Sequence, residues 1–228
     1  MNKFNNPWDV MRFWWGRMFG DEDAGIDRVA RGEDRRLFCA ASRATRRLLY
    51  SVVVKDHVEV ARWIKEGADI HSRVLYGKTP ILIAAAADLA VLKTLILNGA
   101  CLEDEYLGLT PLGWAAHAGN EEAVKMLVFY RADLDAGRDR SPSLPLLEAA
   151  REGHENIVNI LLNAGADLEA ADVHGRRALM AAAEKAPGGT IKLLLNRGAD
   201  KRATDTEGKT ALDYATMNGR HEAMAMLT

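Results

Sequence analysis

The sequence predicts an all-α solenoid of about six helix-turn-helix units, with β-turn or hairpin loops between them and an N-terminal helical extension in front. A motif that begins a helix recurs along the chain, as GKTPILIAA from Gly77, GLTPLGWAA from Gly108 and GKTALDYAT from Gly208. A second motif, GAD or a close variant, follows about twenty residues later, and equivalent positions are about 31 to 34 residues apart. Since no such unit buries its apolar side alone, we expect the units to stack into one continuous core.

Residues 1–45 do not follow the repeat and form the predicted extension. Asn6 and Pro7 are typical of a helix start, since asparagine caps a helix and proline suits its first position. The residues that follow are mostly large and apolar: Trp8, Val10, Met11, Phe13, Trp14, Trp15, Met18 and Phe19. Three roles are open for this helix. It could cap the apolar side of the first unit, anchor the chain in a membrane interface through Trp8, Trp14 and Trp15, or dock onto a partner.

Residues 46–228 form the predicted repeat domain, with units at about 46–75, 76–106, 107–140, 141–173, 174–206 and 207–228. In the clearest units a threonine such as Thr79 or Thr110 can cap the first helix, and a proline takes its first position. Paired alanines such as Ala149 and Ala150 then let two helices approach closely. The second helix carries apolar residues at helical spacing and ends at a glycine such as Gly165, where a left-handed backbone conformation is needed.

These residues resemble the ankyrin-repeat family, whose pattern is roughly D-x-x-G-x-T-P-L-H-x-A-A-x-x-G-H-x-x-V-V-x-x-L-L-x-x-G-A-D. The fourth unit keeps AAREGHENIVNILLNAGAD from Ala149 to Asp167, and the resemblance runs from about Arg46 to Thr228. Arg131 replaces the glycine that ends the second helix of the third unit, and no unit keeps the histidine of TPLH. The resemblance implies a solenoid that binds another protein through its hairpin tips and its concave helix face.

Applied to this sequence, the resemblance places partner-binding positions beside each turn and directly after each alanine pair. The positions with apolar, aromatic or basic side chains suited to an interface are Leu75, Tyr76, Tyr106, Leu107, Leu109, His117, Arg140, Arg151, His174 and Arg176. The N-terminal members are mainly apolar and the C-terminal members mainly charged. Solvated turns favour Gly, Asn, Asp and Ser, so apolar tips indicate a contact surface, unless loop irregularities or the N-terminal helix cover them.

Composition and motif searches argue against several other classes of protein. The 228 residues carry a formal net charge of −2, which gives no electrostatic case for a nucleic-acid partner. Cys39 and Cys101 stand in no metal-binding or redox spacing. Neither GKT triplet has the earlier glycine that a phosphate loop needs, and the histidines form no zinc-binding pair. No catalytic site, metal or cofactor is therefore predicted.

The sequence thus predicts a non-catalytic protein-interaction module. Isolated cysteines are typical of a reducing compartment, so a cytoplasmic location is expected. The sequence contains no window of 18 apolar residues, and no transmembrane helix is predicted. Two alternative functions are open. One is a dedicated inhibitor of a single partner, as antitoxin or immunity proteins are. The other is a membrane-associated adaptor that uses residues 8–19.

Overall fold

The structure is a computed structural model that describes residues 41–73, 77–136, 141 and 143–228. These residues form twelve helices: α1 (Arg43–Val53), α2 (His57–Lys65), α3 (Pro80–Ala87), α4 (Leu89–Leu97), α5 (Pro111–His117), α6 (Glu121–Phe129), α7 (Pro145–Glu152), α8 (Glu155–Ala164), α9 (Ala178–Lys185), α10 (Gly188–Asn196), α11 (Ala211–Met217) and α12 (His221–Leu227). None of these helices has the length and apolar character needed to cross a lipid bilayer. The all-α fold class is confirmed, and α1 begins just before residue 46.

The helices pack in two rows. Each odd-numbered helix contacts the even-numbered helix that follows it, and each helix also contacts the next member of its own row. The odd-numbered helices form the inner row, which the prediction assigns to the concave face, and the even-numbered helices form the outer row. Because contacts run mainly between neighbouring pairs, the fold is a solenoid without long-range closure.

The core lies between the rows and continues from the first pair of helices to the last. On the inner row, Ala115 and Ala116 of α5 are fully buried, and the same is true of Ala149 and Ala150 of α7. On the outer row the buried residues are larger, such as Leu127 of α6. Burial of one such leucine stabilises the fold by about 1.5–3 kcal/mol. The predicted role of the alanine pairs in close helix packing agrees with this burial.

Polar side chains cap several helices. The Thr110 hydroxyl accepts a hydrogen bond from the backbone N–H of Gly113 at 3.3 Å. Thr210 and Asp213 form a reciprocal capping box at the start of α11. Thr79 occupies the predicted N-cap position of α3, but its side chain makes no capping hydrogen bond. The predicted cap at Thr110 is therefore present. At Thr79 the predicted N-cap position is correct, but the capping hydrogen bond is missing.

Five of the outer helices, α2, α4, α6, α8 and α10, end in a left-handed residue. This residue is glycine in most units, and its φ is 103° at Gly165 and 93° at Gly198, as the sequence predicted. In the third unit Arg131 takes this conformation with φ 65°. A residue with a Cβ atom is strained there, because Cβ approaches the following carbonyl oxygen.

Arg131→Gly is expected to raise the free energy of unfolding by about 0.5–1 kcal/mol. The substitution relieves backbone strain, although glycine loses more conformational freedom on folding. Urea denaturation measures the change. Lys125→Gly within α6 serves as the control and should lower stability by about 1 kcal/mol, since its backbone is helical. A destabilised Arg131→Gly protein would contradict the strain argument.

Hydrogen bonds also join the loops of successive units. The Glu103 carboxylate accepts from the backbone N–H of Asp133 at 2.9 Å, and burial raises the pKa of Glu103. Two units further along the chain, the Glu169 carboxylate accepts from the backbone N–H of Asp200 at 2.9 Å. These acidic loop residues therefore link neighbouring units.

Candidate functional site

The hairpin at residues 106–109 has a two-residue tip. The backbone N–H of Tyr106 donates to the carbonyl of Leu109 at 3.1 Å, and the N–H of Leu109 donates to the carbonyl of Tyr106 at 3.1 Å. The tip residues Leu107 and Gly108 have φ values of 53° and 76°, as a type I′ turn requires. The Leu107 side chain is 70% exposed, so the hairpin presents an apolar residue to solvent.

An aromatic pair lies beside this hairpin. The Tyr106 ring stacks on the Trp114 ring of α5 with their centroids 6.2 Å apart. The Lys78 ammonium lies 5.0 Å from the Tyr106 centroid and 4.6 Å from the Trp114 centroid. Both distances are within the range of a cation–π interaction. Lysine, tyrosine and tryptophan from two successive units therefore form one cluster.

Ionic contacts continue this cluster along the inner row. The Trp114 and His117 rings meet edge to face, with centroids 6.1 Å apart. His117 Nδ1 lies 2.9 Å from Glu148 Oε2, and the Arg151 guanidinium donates to the same oxygen at 2.6 Å. The Glu148 side chain is only 2% exposed. A carboxylate buried to this degree needs such partners, because an unpaired buried charge is costly.

A second carboxylate completes the ionic part. Glu152 Oε2 accepts from Lys185 Nζ at 2.6 Å, and Glu152 Oε1 lies 3.9 Å from His117 Nδ1. Burial would raise the pKa of Glu152, but the hydrogen bond from Lys185 and the positive charges around the carboxylate together outweigh it and lower the pKa. His117, Glu148 and Glu152 could each offer a metal ligand within 4.8 Å of the others. Because Arg151 and Lys185 already supply positive charge to both carboxylates, the arrangement is an ion-pair network.

We call these connected residues the inner strip. Its members are Lys78, Tyr106, Trp114, His117, Glu148, Arg151, Glu152 and Lys185. The strip spans the inner helices α5, α7 and α9 together with two hairpin segments. The tyrosine, tryptophan and arginine of the strip are residue types that protein interfaces favour, whereas its lysines and glutamates are not.

A separate hairpin holds two further predicted residues. The Asp172 carboxylate accepts from the backbone N–H groups of His174 at 2.8 Å and Arg176 at 3.0 Å. Arg176 Nε also donates to Asp172 at 2.8 Å. His174 and Arg176 therefore lie on a rigid turn, and the Arg176 guanidinium is engaged within that turn.

The last hairpin is organised by an equivalent aspartate, Asp205. Its carboxylate accepts from the backbone N–H of Lys209 at 2.9 Å and from the Tyr214 hydroxyl at 2.7 Å. Burial would raise the pKa of Asp205, but these hydrogen bonds outweigh it and lower the pKa. Burial and the Asp205 carboxylate raise the pKa of Tyr214, so its hydroxyl remains a donor.

Tyr214→Phe is expected to lower the free energy of unfolding by about 1.5 kcal/mol at pH 7, because a hydrogen bond to a charged group is lost. The folded-state pKa of Asp205 is lowered, so its contribution is complete above the unfolded value of about 4 and is lost as the pH falls through the folded value. Urea denaturation of both proteins between pH 7 and pH 3 should therefore show a difference that shrinks in acid. A difference independent of pH would contradict this role of Asp205.

The predicted site residues fall into three groups, and two of these groups lie within the described residues. Tyr106, His117 and Arg151 belong to the inner strip, and Leu107 and Leu109 flank it on the same hairpin. His174 and Arg176 lie on the separate hairpin at Asp172. Leu75, Tyr76 and Arg140 lie outside the described residues, as do Trp8, Trp14 and Trp15 of the predicted membrane contact.

Sequence reasoning missed Trp114 and Glu148. Both occupy the position directly before the alanine pair, whereas the predicted positions lay beside the turns and after that pair. The signal was available, because a tryptophan and a glutamate are unusual beside buried alanines.

The comparisons with known proteins agree with this architecture. Residues 48–138 and 146–228 match the family model described as ankyrin repeats in three copies. The chain is 36% identical to neurogenic locus notch homolog protein 1 of Xenopus laevis over 130 residues, which is 54% of this chain and 5% of that protein. It is 41% identical to protein phosphatase 1 regulatory subunit 27 of Mus musculus over 68 residues, which is 30% of this chain and 44% of that protein.

A third relative is aligned over more of the chain. Ankyrin repeat domain-containing protein 63 of Homo sapiens is 29% identical over 157 residues, which is 63% of this chain and 41% of that protein. The alignments thus span less than half the length of each of these three relatives.

Proposed function

Because this chain belongs to the ankyrin-repeat family, we propose that it is a non-catalytic module that binds a partner protein through its hairpin tips and inner helix row. Ankyrin repeats are protein-interaction modules. The observation that carries the finer proposal is the inner strip with the exposed Leu107 beside it. Tyrosine and tryptophan are the residues that most often dominate binding energy in interfaces. Here both lie next to an apolar tip.

The ionic part of the inner strip supports the same proposal. Glu148, His117 and Arg151 hold one another in place, and Lys185 fixes Glu152. A surface whose side chains are already ordered loses less conformational entropy when a partner binds. The aromatic cluster is thereby held on a rigid base of inner helices.

A narrower form of the proposal is a dedicated inhibitor or regulator of one partner. One relative of this chain is named as a regulatory subunit of protein phosphatase 1. Its name states a regulatory role for that protein. A regulator of this type would act by covering a functional surface of its partner, with no reaction of its own.

Tyr106→Ala is expected to weaken partner binding at least tenfold, since an anchor ring and its contact with Lys78 are lost. The full chain is immobilised, and proteins from the native source are captured, cross-linked and identified by mass spectrometry. The affinity of each captured protein is then measured for the parent and the variant. Melting temperature and helical circular dichroism should stay nearly unchanged.

Phe129→Ala is the matched control, because it removes an exposed aromatic ring from the outer row. It should leave the affinity unchanged. A Tyr106→Ala protein that binds normally would move the site to the charged half around Arg151, His174 and Arg176. A Tyr106→Ala protein that unfolds would show instead that the ring is part of the core.

A further inference from the structure

Leu107, at the tip of the hairpin, is a residue type that its backbone conformation disfavours. The first central position of a type I′ turn favours asparagine, aspartate or glycine, because φ is positive there. Leu107 has φ 53°, and its side chain is 70% exposed. The fold therefore gains little from this side chain and bears the strain of its conformation. A residue with that combination is explained by contact with something outside the chain.

The neighbouring Lys78 carries a charge that no carboxylate in the described part of the chain neutralises. Its ammonium group lies over the Tyr106 and Trp114 rings, and no carboxylate among the described residues is within 4.0 Å of it. Elsewhere in the inner strip each carboxylate has a cation, since Arg151 pairs with Glu148 and Lys185 pairs with Glu152. Within residues 41–73, 77–136, 141 and 143–228, Lys78 is thus the cation of the strip that lacks a carboxylate partner.

We infer that Lys78, Tyr106, Leu107 and Trp114, which we call the hairpin patch, bind an extended acidic segment of the partner. The segment carries an aspartate or glutamate and, two residues away, a bulky apolar side chain. The carboxylate pairs with Lys78, and the apolar side chain packs on Leu107 and the Tyr106 ring. This inference rests on the proposed function and names the chemistry of its partner.

The geometry favours that spacing. In an extended chain, side chains two residues apart point to the same side and are about 6.6 Å apart. The Lys78 ammonium and the Tyr106 ring centroid are 5.0 Å apart, so one segment can reach both. A basic segment is disfavoured, because Lys78 already lies over the two rings and would repel a second cation there.

The test uses a phage-displayed library of random 12-residue peptides, selected on the immobilised full chain. Enriched peptides should share an acidic residue two positions from a bulky apolar residue. Their binding should fall at least tenfold on Lys78→Glu and on Leu107→Asn. A peptide whose acidic residue is changed to lysine should lose binding to the parent and recover it on Lys78→Glu.

Two controls on the outer row match these variants. Lys93→Glu reverses an exposed charge on α4, and Leu97→Asn replaces a leucine that is 63% exposed. Both should bind the selected peptides as the parent does. Leu107→Asn should also have a higher melting temperature than the parent, because asparagine suits the turn. Loss of binding in that variant is then separate from loss of folding.

Basic or uncharged enriched peptides, equal binding to Lys78→Glu and the parent, or no enrichment at all would each overturn the acidic segment. Each of these results is compatible with a protein partner whose capture depends on Tyr106. Capture of no protein would overturn the proposed function instead. Captured proteins that bind Tyr106→Ala and the parent equally would move the site to the charged half and would overturn the acidic segment as well. The two failures are therefore distinguishable.

Discussion

Leu127→Ala is expected to lower the free energy of unfolding by about 2–5 kcal/mol. Leu127 is fully buried on α6, in the middle of the outer row, and belongs to the continuous core. Truncation removes the transfer free energy of its side chain and leaves a cavity between two packed rows. The helices on either side are held by their own neighbours, so the space cannot close without disturbing both.

Urea denaturation followed by circular dichroism measures this loss. Phe129→Ala, two residues further along the same helix, is the control, because its side chain is 76% exposed. Its effect should be within about 0.5 kcal/mol. If the two variants lose similar stability, the assignment of the buried face of α6 is wrong.

Ala115→Leu is expected to lower stability by about 1–3 kcal/mol through overpacking. Ala115 is fully buried on α5, which packs against α3 on one side and α7 on the other. A leucine at this position would force its side chain out of a favoured rotamer or push neighbouring inner helices apart. The substitution weakens the interface between successive units, so the cooperativity of unfolding should fall as well.

Ala118→Leu gives a matched comparison for this substitution. Ala118 is exposed at the C-terminal end of α5, so a leucine there meets solvent. Its effect on the urea midpoint should be small. An Ala115→Leu protein as stable as Ala118→Leu would show that the inner row has room that the buried alanine pair does not indicate.

The repeat register explains why the fold could be predicted. Residues such as Ala115, Ala149 and Gly165 recur at the spacing of the units, and each has a strong local requirement for small size or positive φ. Even the exception at Arg131 could be located, because its neighbours fixed the register. Caps were less certain, as Thr79 shows, since a buried hydroxyl forms its hydrogen bond only if the geometry of that turn allows it.

The site was harder to predict, because its contacts join different units. His117 and Glu148 lie 31 residues apart in the chain, and their 2.9 Å contact depends on how two inner helices are offset. Arg176 was predicted as a binding residue but is engaged by Asp172, four positions earlier. Both residues lie on a hairpin turn, so the spacing rule for helices did not predict this pairing. Trp114 needed the structure to show which ring it stacks on.

The packing of each helix pair on its neighbours also determines how the chain can fold. The hydrogen bonds between units join residues about one unit apart, such as the 30 positions between Glu103 and Asp133. Short loops close quickly, so folding can nucleate at any adjacent pair and spread in both directions. During synthesis, each new pair of helices can dock on the preceding one as soon as it leaves the ribosome, before the rest of the chain exists.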